Sequence, residues 1–471
     1  MKDKIWVLPF IVVMSIYMVG CDGPNTSTTV TVCTTHEWEW RVIQHSPTRD
    51  RHEAQTCRHC GETAETREVP ATLNFTWYGD GSAANFSIAT PQSMFAFAHI
   101  VNGTAPEYGG PAQFDFTGRT VTLLIDIDLN NHPWIPIGTM TQVYPFAIVN
   151  GFNGVFNGGG NAIIELYVNS DFGVGTGLFS ALDTDGKIKN LGVYGNVSSS
   201  VMAAVGGIVG WNFGTVENNY FSGSVNTDSS LSITGGLVGI NQDGTIANSH
   251  NTGSVSGTGT VGGVAGSNTN GTVFASFNTG NVYGASAGGV VGTNFGQNSI
   301  VSNNYNTGII TGRTVGGVVM EFQSGSMQNN YNTGIVISTQ WDAGGVVGIM
   351  GSSGVATYIL ANNVSLVPQI MGTSNQNRVV GRVGGTNSGT YENNRARSDM
   401  LVNGVIVSGG THDNVNGADV IPGITPMAEV FAGWDTNIWN IPSGILTIGG
   451  PLPTLRNIVR EQNPTLPTVE E

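Results

Sequence analysis

Four side chains near the start of the chain have the types and spacing to hold a metal ion: Cys33, His36, Cys57 and Cys60. Two ligands from each of two tight turns is the layout of a tetrahedral Cys3His zinc site. Four protein ligands leave no open coordination position, so such a zinc is structural and not catalytic. The competing chemistry is a disulfide, favoured wherever the surroundings are oxidising. His59 reads as a solvated side chain, and His36-Glu37 and His52-Glu53 lack the second histidine at the fifth place that a zinc-protease helix needs. Asp183-Thr184-Asp185-Gly186 opens like a calcium loop, but its twelfth position is Tyr194, where that loop needs a bidentate glutamate. A turn is the reading that remains.

The first residues bear on the redox question. Met1-Lys2-Asp3-Lys4 precede an apolar run from Ile5 to Val19 that ends at Gly20-Cys21, the layout of a signal peptide. The run falls short of the about 20 residues a helix needs to cross the hydrocarbon core. Met18-Val19-Gly20-Cys21 resembles the lipobox of bacterial lipoproteins, with Met18 where leucine is usual. That resemblance implies removal of residues 1–20 and acylation of Cys21 as the mature N-terminus. Of the 4 cysteines, lipid on Cys21 leaves three, so a disulfide scheme strands one of them. A zinc site uses all three with His36. Residues 21–32 then form a polar tether, and residues 33–68 a small Cys/His module.

The remainder must form a different kind of structure. Charged residues make up only 10% of the chain, against about 25% in a typical globular protein, and glycine accounts for 68 of 471 residues, about twice the usual share. With 17 Lys and Arg against 32 Asp and Glu, the net charge of -15 repels phosphate backbones and argues against a nucleic-acid partner.

A repeat runs through residues 199–398: GGIVG at 206, GGLVG at 235, GGVAG at 262, GGVVG at 288, GGVVM at 316 and GGVVG at 344. Each glycine pair is echoed downstream, by Asn218-Asn219-Tyr220, Asn248-Ser249-His250, Ala275-Ser276-Phe277, Asn303-Asn304-Tyr305 and Asn329-Asn330-Tyr331. The spacing of 26 to 29 residues fits one coil of a solenoid, and the segments inside it are short, β-branched and bounded by Gly or Asn. Helices are excluded by the missing 3.6-residue apolar period and by two glycines per repeat, each costing about 1 kcal/mol in a helix. The expected fold is therefore all-β, a β-solenoid (β-helix) of about seven or eight rungs of 26–30 residues behind the small N-terminal module. Its N-terminal flank and first coils occupy residues 83–198, and a closing segment and tail occupy residues 399–471.

The repeat, G-G-x-V-G followed by N-x-G-x-I and N-N-Y-x-T-G, strongly resembles the GLUG-motif family of bacterial surface proteins. The flanks agree: Ile125-Asp126-Ile127-Asp128-Leu129 and Trp134-Ile135-Pro136-Ile137-Gly138 upstream, Gly433-Trp434-Asp435, Trp439 and Leu452-Pro453-Thr454-Leu455 downstream. The Cys33–Thr66 stretch, with its C-x-x-H-x-W start and T-C-x-x-C-G end, resembles a short module of bacterial surface proteins. These resemblances imply a lipid-anchored protein of the cell envelope, on its outer surface, with an adhesin-like or coat role toward a host matrix protein or a glycan. They imply no catalytic residues. The alternative is a carbohydrate-active β-helix that cleaves or binds polysaccharide.

Two stacks follow from the repeat. Tyr220, His250, Phe277, Tyr305 and Tyr331 fall 14 to 17 residues after their glycine pairs, so they are expected to form one ladder. That ladder either faces a ligand such as a sugar or supports the coil from within. Val238, Val264, Val290, Val318 and Val346 are expected to stack in the core, with Asn226 in a turn. For acid–base catalysis the repeats offer little: Glu217, Asp228, Asp243, Glu321 and Asp342 stand at five different phases of the coil, so no acid pair is expected from one ladder.

Overall fold

The computed structural model describes residues 38–44, 51–57, 63–69, 73–143, 146–170, 174–351, 358–383, 390–458 and 460–469. In the small N-terminal unit, strands Trp38–Gln44, Arg51–Cys57 and Thr63–Val69 form one sheet in that order, with Trp38 opposite Cys57 in an antiparallel pair.

The large unit is a β-solenoid, and the coil from Val238 to Gly262 shows its plan. Its strands are Val238–Gln242, Thr245–Ala247, His250–Asn251, Ser254–Gly257 and Thr260–Gly262. Each pairs in parallel with its counterparts one coil before and one coil after. Val238 pairs with Val209 and Ala265, Ile246 with Val216 and Val273, and His250 with Tyr220 and Phe277. One face of the solenoid stacks eight such strands, from Phe179–Leu182 to Val380–Val383, which makes about eight turns as the repeat count predicted. Backbone groups are paired between coils, so each coil depends on its neighbours alone.

The glycine pair is a steric requirement of the corner where one face meets the next. A Cβ on Gly288 would lie 1.9 Å from the Val291 carbonyl oxygen, and one on Gly289 2.1 Å from the Gly317 carbonyl oxygen. Beyond the pair the chain turns so tightly that two consecutive side chains point inward. This corrects the expected valine register. Leu237, Val264, Val290, Val318 and Val346 form one ladder, joined by backbone hydrogen bonds of 2.8 to 3.0 Å, while Val238 sits in the adjoining ladder over Ala265. Both ladders are fully buried, so apolar character alone could not tell one from the other. Asn226 is likewise not in a turn: it is an exposed residue of strand Tyr220–Thr227, and its Oδ1 accepts from Ser256 Oγ at 2.8 Å.

Asparagine does three separate jobs. Asn190, Asn218, Asn248, Asn303, Asn329, Asn362 and Asn393 take the left-handed conformation at one corner, with φ between 49° and 58°, which Asn tolerates better than most residues. The buried amides of Asn212, Asn241, Asn268 and Asn294 donate each to the next, Nδ2 to Oδ1, at 2.7 to 2.8 Å. A second amide ladder joins Asn251, Asn278, Asn306 and Asn332 at 2.8 Å per step. These ladders keep polar side chains satisfied inside the coil.

A helix, Pro91–Asn102, interrupts the N-terminal flank of a fold expected to be all-β. Thr90 caps it by accepting from the Ser93 backbone N–H, and Gly103 ends it at φ 76°. Most of its side chains are buried on every side, as expected of a helix enclosed by protein. Phe97 stacks on Phe156 at 5.6 Å and meets Phe152 edge-on at 5.5 Å, so the helix closes the N-terminal end of the apolar core.

Candidate functional site

The structure brings the five ladder aromatics into one stack. Ring centroids are 5.4 Å apart for Tyr220–His250, 4.6 Å for His250–Phe277, 4.7 Å for Phe277–Tyr305 and 5.0 Å for Tyr305–Tyr331. The rings are nearly parallel, with interplanar angles of 6° to 7° over the last three steps. Their faces are therefore spent on one another, and only ring edges point away from the coil. A platform that stacks sugars needs an open ring face, and this ladder offers none between His250 and Tyr331.

The edges are covered by the closing segment. Trp434 and Trp439 pack on Tyr331 at 6.2 and 5.8 Å, and the Tyr331 hydroxyl donates to the Pro453 carbonyl oxygen at 2.7 Å. The Tyr305 hydroxyl donates to Gln462 Oε1 at 3.1 Å. Trp439 Nε1 donates to Asn303 Oδ1 at 2.9 Å, and Trp434 Nε1 to the Asn362 carbonyl oxygen at 3.0 Å. At the other end Arg460 lies over the Tyr220 ring, 3.8 Å from its centroid, and hydrogen-bonds Tyr194. Burial and the hydrogen bond shared with the Tyr194 hydroxyl push the Tyr220 hydroxyl up to about 12. Two cavities of about 410 and 510 Å³ flank Arg460 along this seam, and His250 borders both.

His250 is the odd member of the stack. It is 4% exposed, and neither ring nitrogen has a hydrogen-bond partner. Burial, and then the Arg460 charge, lower its pKa to about 4 from the ordinary 6.5. The folded protein thus keeps it neutral where the unfolded chain protonates it, so stability is complete above about pH 6.5 and falls as pH drops toward 4. The loss is at most about 3 kcal/mol. We expect His250→Phe, which matches the Phe277 rung below, to raise the melting temperature at pH 5 and flatten its pH dependence. An unchanged pH profile in that variant would place the acid sensitivity elsewhere.

A second site combines residues that sequence phase kept apart. On the outside of the eight-strand face, Glu321, Ile349 and Arg382 stand in register on successive coils. Trp341, Asp342 and Asn375 border the same cavity, of about 530 Å³. Asp342 is 5% exposed, and both its oxygens are occupied. Arg382 Nε donates to Oδ2 at 2.8 Å and Asn375 Nδ2 to Oδ1 at 2.6 Å. Among the described residues Glu321 makes no side-chain hydrogen bond, and Trp341 is 48% exposed. Glu321 and Asp342 lie 5 and 26 residues after Gly316 and therefore looked distant. A coil closes on itself, however, so position 26 of a 28-residue turn adjoins the start of the next turn. Treating phase as circular would have found the pair.

The other expectations fall elsewhere. Cys21, Cys33, His36 and Cys60 lie outside the described residues; Cys57 is buried at the end of its strand. Among the described residues no group of three or more His, Cys, Asp or Glu is placed to hold a metal. The Asp183–Gly186 segment is a turn, closed by a 2.9 Å hydrogen bond from the Gly186 N–H to the Asp183 carbonyl oxygen.

Among solved structures, the chain is similar to a Bacteroides ovatus protein described as a candidate immunoglobulin A1 protease, at 16% identity and a TM-score of 0.40. The match covers 79% of this chain and 92% of that one. No curated protein matches it. Residues 230–256 match the family model described as the GLUG motif. That segment is one coil of the stack, carrying the glycine-pair corner, a left-handed asparagine and the His250 rung. The chain is therefore a β-helix repeat protein that carries the GLUG motif.

Proposed function

We propose that this protein is a lipid-anchored component of the bacterial cell envelope, held by Cys21 on the outer surface, whose solenoid binds a host matrix protein or a glycan without cleaving it. The observation that carries the binding reading is the state of Asp342. Its two oxygens are held by Arg382 and Asn375, so it is engaged as a structural anion and not presented as a second carboxylate opposite Glu321. Glycoside hydrolysis needs two carboxyl groups free to act on opposite sides of one bond. The presence of Glu321 and Asp342 on one cavity is also what favours the second reading, a polysaccharide-cleaving β-helix. Incubating the purified protein with matrix proteins and polysaccharides, with retention and new reducing ends measured together, separates the two. Retention without new ends is the expected result, and new ends would establish the second reading.

The anchor rests on Gly20-Cys21. Cys21→Ala is expected to abolish incorporation of labelled fatty acid and to release the protein from the membrane fraction. Unchanged membrane partition of that variant would overturn the anchor. In the small module, Cys33, His36, Cys57 and Cys60 would hold one structural zinc.

A further inference from the structure

The Trp341 groove differs in composition from the coil surface around it. The outer surface of the coils is mainly Ser, Thr, Asn and Gly, and between residues 206 and 350 the chain has one cation, Arg313. Here a half-exposed indole, two carboxylates, a guanidinium and a primary amide border one open cavity of about 530 Å³. Asp342 organises the others. By accepting from Arg382 Nε and Asn375 Nδ2 it fixes both side chains at the rim. Among the described residues, the two terminal guanidinium nitrogens of Arg382 and the Asn375 Oδ1 atom make no hydrogen bond to another side chain. The rim thus presents fixed donors and a fixed acceptor, with the Glu321 carboxylate as a second acceptor.

We propose that this groove is a saccharide subsite for an uncharged pyranose unit, with the ring stacked on Trp341 and its hydroxyls paired to Glu321, Arg382 and Asn375. The proposal rests on the reading of the solenoid as a binding surface and names the ligand class of one site on it. Three features carry it. Trp341 is a large apolar face left in water, unlike the ladder rings, whose faces are spent on each other. Sugar hydroxyls both donate and accept, and the rim offers both kinds of partner in fixed positions, so little side-chain entropy is lost on binding. The charge balance selects against anions. Asp342 neutralises Arg382, which leaves the Glu321 charge uncompensated in a chain of net charge -15. A carboxylated sugar would be repelled. A cationic ligand would meet the Arg382 guanidinium at the same rim.

The test is isothermal titration of the purified full-length protein with neutral hexasaccharides (cello-, xylo- and manno-) and with a uronate hexamer. At least one neutral probe is expected to bind, and the uronate is expected not to. Trp341→Ala is expected to weaken the neutral probe at least about tenfold, or about 1.4 kcal/mol. Asp342→Asn is expected to weaken it too, by releasing Arg382. Phe295→Ala, which removes another exposed aromatic outside the cavity, is expected to leave it unchanged. Melting curves of each variant confirm that it is folded, and Trp341→Phe, which keeps a stacking face, is expected to restore most of the affinity. Equal binding by wild type and Trp341→Ala would overturn the groove while leaving glycan binding in place. Preference for the uronate would overturn the charge assignment. Retention of a matrix protein with no binding of any hexasaccharide would overturn the subsite and leave the broader binding reading intact. Absence of both would overturn the two together.

Discussion

Val290→Asp is expected to open the solenoid at its middle, with a loss of several kcal/mol and a markedly lower onset of melting. Val290 is fully buried; its N–H donates to the Val318 carbonyl oxygen at 2.9 Å, and its own carbonyl oxygen accepts from Val264 at 2.8 Å. The substitution places a carboxylate between Val264 and Val318 in a dry stack. Arg313, the only cation from 206 to 350, lies exposed on the surface. An unpaired buried charge in such a place is among the largest single-residue penalties known. Because coils touch only their neighbours, the damage is expected to begin near residues 262–346 and spread from there. Hydrogen exchange resolved along the sequence is the measurement. Asn226→Asp is the comparison: Asn226 is exposed, and its Oδ1 acceptor survives the change, so that variant is expected to be nearly silent. If Val290→Asp melts with wild type, the register of the stack described above is wrong.

Trp439→Ala is expected to detach the closing segment while leaving the coils standing. Trp439 is fully buried and lies 4.7 Å from Trp434, 5.8 Å from Tyr331 and 6.3 Å from Tyr305. Truncating a buried aromatic typically costs about 3–5 kcal/mol. Here it also strips the Asn303 Oδ1 atom of the Trp439 Nε1 donor. The loss falls on the packing between the closing segment and the aromatic ladder, and not on the pairing between coils, so the expected result is local release. Limited proteolysis between residues 421 and 469 should accelerate strongly, with the coils from 206 to 350 still protected. Trp439→Phe retains most of the apolar contact and loses only the hydrogen bond, so its effect is expected to be smaller. Unaltered proteolysis of Trp439→Ala would show that the segment is held by other contacts.

The two variants probe features that differed in how far the sequence revealed them. The spacing of the glycine pairs sufficed for the solenoid and for its number of turns, because a repeat of constant length with short β-branched segments has few other ways to bury its apolar side chains. The asparagines that bound the strands and the stacked aromatics were legible for the same reason: parallel in-register coils put equivalent residues above one another. The choice between Leu237 and Val238 for the Val264 ladder was not legible, since the corner buries both. Helix Pro91–Asn102 carried an N-cap and an N1 proline in the sequence, Thr90-Pro91, but its apolar residues on all sides gave no amphipathic signal.

What this sequence determined by itself is the periodic part of the protein, because periodicity is a local property repeated until it becomes architecture. Only the tertiary structure decided what is aperiodic. It turned the aromatic ladder edge-outward and laid Trp434, Trp439 and Arg460 against it, a contact between residues more than 100 positions apart for Trp439 and Tyr305 or Tyr331. It also gathered Glu321, Trp341, Asp342, Asn375 and Arg382 around one cavity, although they come from three coils and share no spacing. The physical reason is closure. A coil brings its end back beside its beginning, and a returning segment can meet any rung, so these neighbours are set by the path of the chain through space and leave no mark in the repeat.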